Sequence, residues 1–359
     1  FFLTALAPTC YNLGIIFGAV VLARSFGIYG LALGATVGSA LFLLVQVPGL
    51  FQVGMRYRPL LDLKHPGVRR VGALMAPRVL GLAIVQMNFV VTLYLASGIP
   101  GGAAALNYAW LLTMLPLGIF GMAIGTAVFP SLAEQTARDQ LAEMARTALT
   151  ALRMVLFLTV PAAVGLILLA EPIVRLLFER GRFQETSTEA VAGALQFYAL
   201  GLVAMATLEI VTRVFYALQD TRTPVVVGFS AMLLNAALAV ALLPLLGHRG
   251  LALATGLASL AEAAVLFAWA TRRLPGLATP ELSRLLFKSA SAAVVLAVAV
   301  AGVSTLLGPL VGSALLGRLL LVGSTIGVGA VGYLATAWFL EVEEVDRLWE
   351  HVRARYQRA

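Results

Sequence analysis

The chain has 359 residues, of which 60% are hydrophobic and only 12% are charged, with a formal net charge of +8 and a mean hydropathy of +0.94. Soluble domains are about 45–50% apolar and about 25% charged, so this composition excludes an ordinary soluble fold. Runs of about 20 nearly uncharged residues recur along the chain, which is the length an α-helix needs to cross a bilayer. We therefore predict an all-α polytopic membrane protein rather than a barrel of short alternating strands.

In chain order, the apolar runs predict ten transmembrane spans. They are residues 1–23, 30–53, 73–98, 103–130, 147–170, 188–214, 223–246, 250–270, 287–308 and 319–340. The chain opens without Met inside an apolar run that has no basic region before it, so we expect a sequence cut at its N-terminus rather than a signal peptide. Cys10 is the only cysteine, which excludes an internal disulfide, and we expect neither a metal site nor a cofactor.

Basic residues are unevenly distributed between alternate connections. One set of segments holds 18 of the 25 Lys and Arg residues: 54–72, 131–153, 213–222, 271–288 and 341–359. Lys and Arg accumulate in cytoplasmic loops, so we predict that these segments, including the C-terminus, are cytoplasmic. The positive charge then sets the topology and contacts anionic lipid headgroups, and no nucleic-acid partner is expected.

A polar interruption, FYALQDTRTP (Phe215 to Pro224), separates the sixth and seventh spans. The charge distribution makes it a cytoplasmic turn. Pro224 suits the first turn of the following helix, and Asp220 or Thr221 is expected to cap that helix.

Two similar segments suggest an internal repeat. The second span opens with GIYGLALG (27–34) and the eighth with GHRGLALA (247–254), and the preceding spans contain Asn12 and Asn235. Chance similarity is a serious alternative in a chain so rich in Gly, Ala and Leu. If this similarity reflects a true repeat, the repeat has a period of six spans. An even period gives the two copies the same orientation in the membrane, as in parallel repeats. Spans three to eight would then form a complete lobe, and four spans would precede residue 1.

Three segments carry a resemblance to a known family. FYALQDTRTP, EPIVRLLFERGRF (171–183) and LNYAWLLTMLPLGIFGMAIGTAVFPSLAE (106–134) resemble matching segments of the MurJ/MviN family, bacterial lipid II flippases of the multidrug/oligosaccharidyl-lipid/polysaccharide exporter superfamily. The residues that carry the first motif are Phe215, Tyr216, Asp220, Thr221, Thr223 and Pro224.

The resemblance implies a two-lobed fourteen-helix flippase fold, of which this chain would hold the last ten helices. Residues 1–53 would be the last two helices of the N-terminal lobe, and residues 73–272 the six-helix C-terminal lobe. Residues 286–341 would be two extra C-terminal helices, which in this family line a groove for the polyprenyl tail. Residues 342–359 would be a cytoplasmic tail.

The implied function is transport without catalysis. Such a protein flips lipid II across the cytoplasmic (inner) membrane by alternating access, for peptidoglycan synthesis, cell-wall biogenesis and cell shape. Its implied partners are membrane lipids, a polyprenyl-pyrophosphate-linked substrate, and a coupling cation or the membrane potential. Hydrocarbon does not solvate the charged head, so the protein must offer a polar, cationic cavity. The alternatives are a polysaccharide-lipid flippase or an ion-coupled multidrug antiporter of the same superfamily.

Polar residues inside predicted spans are the cavity candidates. They are Arg78, Gln86, Asn88, Asn107 and Tyr108. Arg78 suits bidentate binding of a phosphate, although its side chain is also long enough to reach the cytoplasmic headgroups. Asn88 alternatively bonds a neighbouring helix, and Tyr108 alternatively belongs to the interfacial aromatic belt.

Four further polar features are interpreted separately. Glu209 and Arg213, four residues apart, predict an ion pair that is either a gate or a structural contact, and we favour the structural one. Glu262 is a lone acid within the eighth span, which must be paired or protonated. Asn235 is expected to hydrogen-bond another helix, and the amphipathic EPIVRLLFERGRF segment is expected to lie in the outer interface.

One position departs from the family pattern. Many members have an arginine facing the cavity two residues after LNYA, where this chain has Leu111. The charge that would bind the pyrophosphate is therefore unassigned, and the exact cargo stays open.

Overall fold

The structure is a computed structural model that describes the backbone of residues 2–52, 66–307 and 315–346. Every regular element in these ranges is helical. The helices are α1 Phe2–Phe17, α2 Ala23–Phe26, α3 Ile28–Gln52, α4 Pro66–Ser97, α5 Gly102–Pro116, α6 Ala123–Ala137, α7 Leu141–Leu168, α8 Ala170–Phe178, α9 Glu185–Ala217, α10 Arg222–Leu246, α11 His248–Arg273, α12 Pro280–Leu307 and α13 Leu315–Phe339. Two π-helical segments, Gly18–Leu22 and Leu117–Met122, join α1 to α2 and α5 to α6.

Within the described ranges, nine helical stretches are long and apolar enough to cross a membrane. They coincide with nine of the ten predicted spans. The remaining span, 73–98, falls within α4, where the side chains of 72–74 and 76–85 lie outside the described residues. The prediction of an all-α polytopic membrane fold is confirmed.

The chain divides into two compact units, Phe1–Met75 and Ala76–Ala359. In the first unit, α1 and its π-helical continuation pack directly against α3. A Cβ atom placed on Gly18 would lie 2.5 Å from the Cα of Gly34. The two helices therefore touch through their backbones, an approach that only glycine allows.

The second unit is organised around α9. Two thirds of the most apolar part of α9 is buried, compared with less than half in every other described candidate span. Helices α5, α6, α7, α8 and α11 all contact it. Its buried residues include Leu195, Leu202, Ile210 and Phe215. This central helix determines where the side chains of its neighbours meet.

The closest approach to α9 is made by α11. A Cβ atom on Gly201 of α9 would lie 2.5 Å from the Cα of Gly256 on α11. Because no side chain separates the two backbones, the helices gain extensive van der Waals contact, which is the main source of helix association within lipid.

The last two helices, α12 and α13, dock on α7. The hydroxyl of Tyr333 donates a 2.8 Å hydrogen bond to the carbonyl oxygen of Phe157, and both side chains are almost completely buried. At one end of this interface, the guanidinium of Arg153 forms ion pairs with three carboxylates. They belong to Glu344 (2.6 Å), Glu343 (3.0 Å) and Glu281 (3.4 Å).

The turn between α9 and α10 has a defined conformation. Gln219 adopts a left-handed backbone with φ +60°, and the amide of Asp220 bonds the carbonyl of Phe215 at 2.9 Å. This pattern closes the C-terminus of α9. The carboxylate of Asp220 accepts bonds from the Thr223 amide (3.0 Å) and hydroxyl (2.7 Å). These bonds lower the pKa of Asp220.

The cap therefore comes from Asp220, one of the two predicted residues, whereas the Thr221 side chain makes no capping bond. Pro224 lies in the first turn of α10 as predicted. Arg273, at the end of α11, pairs with Asp220 at 3.5 Å. The turn thus joins three helices of the second unit.

We predict that Gly201→Ala destabilises the protein by about 1–3 kcal/mol, because the new methyl group overpacks the α9–α11 contact. Gly302→Ala is the matched control, since a Cβ atom at Gly302 meets nothing within 4 Å. The measurement is thermal unfolding of purified protein in detergent. Equal melting temperatures for the two variants would contradict the close packing.

Candidate functional site

A polar cavity of about 250 Å³ lies inside the second unit, among α4, α5, α9 and α11. Three of the predicted candidates, Gln86, Asn88 and Asn107, line it together. The other lining residues include Trp110, Tyr198 and Thr255. The cavity therefore combines amide and hydroxyl groups with aromatic surface, a lining that can hold an uncharged polar group by hydrogen bonds.

Asn88 is held by a helix-to-helix hydrogen bond. The Asn235 side-chain nitrogen donates to the Asn88 side-chain oxygen at 2.8 Å, and Asn235 is 2% exposed. The prediction that Asn235 bonds a neighbouring helix is confirmed. The bond connects α10 to α4 and fixes the orientation of Asn88 at the cavity wall.

Tyr108 does not line this cavity. Its ring packs against Phe178 and Phe183, with centroid distances of 4.8 and 5.6 Å. Phe178 is the last residue of α8 and Phe183 lies in the loop that follows it. Their rings also contact each other. Tyr108 therefore anchors the α8 segment to α5.

Two positions bear on the expected cavity charge. Arg78 belongs to α4, but its side chain lies outside the described residues. Leu111, where the family pattern has arginine, is 55% exposed on α5. Among the residues named as lining the described cavity, none carries a charge.

A second recess, of about 470 Å³, lies between α6 and α9. Its walls include the Glu209–Arg213 ion pair, so the predicted pairing is confirmed. The Arg213 guanidinium also donates to the Thr126 hydroxyl at 3.3 Å. A Cβ atom on Gly125 would lie 2.8 Å from that guanidinium. Arg213 thus crosses from α9 to the backbone of α6, which ties the two helices together.

A third feature is an apolar groove of about 480 Å³ between the α5 end, α7, α12 and α13. Its lining includes Phe120, Phe157, Leu296, Ile326 and Leu334. Among the described lining residues, only Tyr333 has a polar side-chain atom, and its hydroxyl is engaged with Phe157. These residues therefore offer no free side-chain group with which a polar ligand would bond.

The segment EPIVRLLFERGRF forms the short helix α8 and the loop after it. Arg175 pairs with Glu171 (3.0 Å), Glu179 (3.2 Å) and Glu185 (3.2 Å). Arg318 of α13 pairs with Glu179 at 3.1 Å. Although burial of Glu179 opposes ionisation, bonds from Thr188 and these two arginines lower its pKa. Arg175 and Arg318 are therefore compensated within the protein, and their ion pairs connect α8 and the residues after it to α9 and α13.

The Arg153 cluster was not anticipated from the sequence. Arg153 lies where the predicted span 147–170 overlaps the predicted cytoplasmic segment 131–153, and a charge inside the end of a span indicates a partner on another helix. The partners Glu343 and Glu344 are about 190 positions away, and no local pattern connects them to Arg153.

Comparison with known proteins identifies the family. The family model described as "Lipid II flippase MurJ" matches residues 1–320. The lipid II flippase MurJ of Burkholderia cenocepacia is 33% identical over 304 residues, which are 83% of this chain and 59% of that protein. The probable lipid II flippase MurJ of Bdellovibrio bacteriovorus is 29% identical over 351 residues, 97% of this chain and 66% of that protein.

A solved structure described as lipid II flippase MurJ in the inward closed conformation has the same fold. Its TM-score is 0.77 at 24% sequence identity, and the match covers 94% of this chain and 67% of that one. The chain spans less than two thirds of the length of the two curated relatives described above. The match over residues 1–320 places this chain in the MurJ family.

Proposed function

We propose that the protein containing this chain moves lipid II across the bacterial cytoplasmic membrane by alternating access. The observation that carries the proposal is the family match over residues 1–320. The names of the matched relatives favour lipid II over lipid-linked polysaccharides or drugs as the cargo. Flipping makes and breaks no covalent bond, so the protein needs a path for the head and a surface for the tail.

The polar cavity is the proposed contact for part of the head. Its volume of about 250 Å³ is below the range of about 300–1,000 Å³ that holds drug-sized ligands, so it does not enclose a complete sugar–peptide head. The amides of Gln86 and Asn107 would exchange hydrogen bonds with a sugar or peptide group. Asn88, fixed by Asn235, would present its remaining donors in one orientation.

The apolar groove is the proposed surface for the polyprenyl tail. Its described walls come from α5 and the π-helical segment after it, α7, α8, α12 and α13, and their side chains are hydrocarbon apart from one engaged hydroxyl. A tail lying there would make dispersion contacts without desolvating any polar group. The Arg153 ion pairs with Glu281 of α12 and with Glu343 and Glu344 after α13 would hold these elements against α7, so they would preserve the shape of the groove.

We assign the rest of the chain by the same family pattern. Residues 1–53 are the end of one lobe, 73–272 the second lobe, 286–341 two additional helices and 342–359 a cytoplasmic tail. The Glu209–Arg213 pair serves as a structural contact between α6 and α9. Transport draws its energy from a coupling cation or from the membrane potential.

Complementation tests the proposed function. The full-length gene is expressed in cells depleted of their own lipid II flippase, and growth is measured. We expect the gene to restore growth. Lysis of the depleted cells, with the protein present in their membranes at normal levels, would contradict the proposal.

Arg78 is the proposed pyrophosphate ligand, because Leu111 leaves α5 without the family arginine. We expect Arg78→Ala to abolish complementation at unchanged membrane levels. Arg78→Lys should rescue only partly, since an ammonium group cannot reproduce the two parallel bonds of a guanidinium.

The companion variant is Leu111→Arg combined with Arg78→Ala, which should restore growth if one cavity charge replaces the other. If Arg78 only reaches the headgroup region, Lys should serve as well as Arg. Full growth of Arg78→Ala alone would remove Arg78 from the site.

The proposed orientation places residues 54–72 and the C-terminal tail in the cytoplasm and residues 171–186 outside. In a Cys10→Ser background, we expect an impermeant thiol reagent to label Arg182→Cys in intact cells. Lys64→Cys should react only after the membrane is opened. Labelling of Lys64→Cys in intact cells would contradict the proposed orientation.

A further inference from the structure

Glu262 is an acid near the middle of a membrane-spanning helix. It is the fifteenth of the 26 residues of α11, which places its Cα about 21 Å from the first Cα of the helix and about 17 Å from the last. The hydrocarbon core is about 30 Å thick, so neither end of the helix brings this carboxyl close to the headgroups. A short Glu side chain does not span the remaining distance.

Glu262 has no hydrogen-bond or ion-pair partner among the residues that the structure describes. Two other charged groups on long helices of the second unit are compensated: Arg153 of α7 has three carboxylates, and Glu209 of α9 has Arg213. An uncompensated carboxylate at this depth is costly. The fold compensates those charges with ion pairs, whereas Glu262 has no such partner among the described residues.

The carboxyl lies against the backbone of α10. A Cβ atom on Gly228 would be 3.3 Å from the carboxyl oxygen Oε1 of Glu262, so the glycine leaves the space that the carboxyl uses. The flanking residues on α11, Ala261, Ala263 and Ala264, are small. The helix seam therefore accommodates the acid without offering it a charge.

Among the residues that the structure describes, no charged side chain of a neighbouring helix pairs with Glu262. Between Arg222 and Leu246, α10 has no titratable side chain. On α9, Glu209 and Arg213 pair with each other beside α6. On α11 itself, the other titratable residues stand at its two ends: His248, Arg249, Arg272 and Arg273. Within the described residues, no group of three or more His, Cys, Asp or Glu could hold a metal ion.

We propose that Glu262 is a proton-binding site in the α10–α11 seam, loaded and unloaded during the transport cycle. The ligand is a proton because a metal cation would need several oxygen ligands, whereas a proton needs only the carboxyl. Loading removes the charge, so the seam can remain closed to water. Unloading creates a charge that favours an opening of the seam to water, which gives the cycle a step sensitive to the proton gradient. The coupling of proton binding to transport rests on the proposed lipid transport, whereas proton binding by Glu262 does not.

Proton binding is tested on the full-length protein in detergent, by thermal unfolding across a pH series. The variants are Glu262→Gln and, as a control, Glu134→Gln, whose carboxylate lies in an exposed ion pair with Arg138. A folded state that keeps a proton which the unfolded state releases loses stability as the pH rises. We therefore expect the melting temperature of the unmodified protein and of Glu134→Gln to fall relative to Glu262→Gln as the pH increases. If the melting temperatures of all three proteins change in parallel with pH, Glu262 is not a proton-binding site.

Coupling is tested in vesicles that contain lipid II and the full-length protein, with a pH gradient, a sodium gradient or no gradient imposed. We expect the pH gradient to accelerate flipping several-fold in the unmodified protein and in Glu134→Gln, and to have no effect on Glu262→Gln. An equal response of Glu262→Gln, or a response to sodium alone, would overturn coupling through Glu262. Normal pH-dependent melting without any lipid II flipping would count against the proposed function and leave the proton site standing.

Discussion

The structure depends on one constraint: hydrocarbon solvates neither charge nor unpaired backbone groups. Helices satisfy the backbone hydrogen-bonding groups, and ion pairs compensate several of the charged side chains that the structure describes. Arg153 meets three carboxylates, Arg213 meets Glu209, and Arg175 and Arg318 meet Glu179. These pairs also join elements distant in sequence, so the compensation of charge and the docking of helices are the same contacts.

Glycine residues allow the close helix packing that adds to these ion pairs. Lipid tails are as apolar as the side chains they contact, so association within the membrane relies on close van der Waals packing. Gly201 and Gly256 let α9 and α11 meet backbone to backbone. Because α9 also contacts α5, α6, α7 and α8, this approach positions the walls of the polar cavity, and α7, α12 and α13 then complete the apolar groove.

Hydropathy predicted the helices well because the bilayer imposes one length and one polarity on every span. The cap by Asp220 and the pairing of Glu209 with Arg213 were also predictable, since each involves residues three or four positions apart. The surroundings of Tyr108 were not, because Phe178 and Phe183 reach it only after α8 folds back. The Arg153 cluster and the meeting of Gln86 with Asn107 likewise depend on helix packing.

In the proposed function, the head of a lipid-linked substrate contacts polar surface and its tail lies in the groove between α7, α12 and α13. The most direct test is reconstitution of the full-length protein in vesicles that carry lipid II in both leaflets, followed by modification of exposed heads with an impermeant reagent. We expect heads from the inner leaflet to become accessible faster than in protein-free vesicles. A water-soluble analogue of the head without a tail should not cross. Equal accessibility of lipid II with and without the protein would contradict the proposed transport.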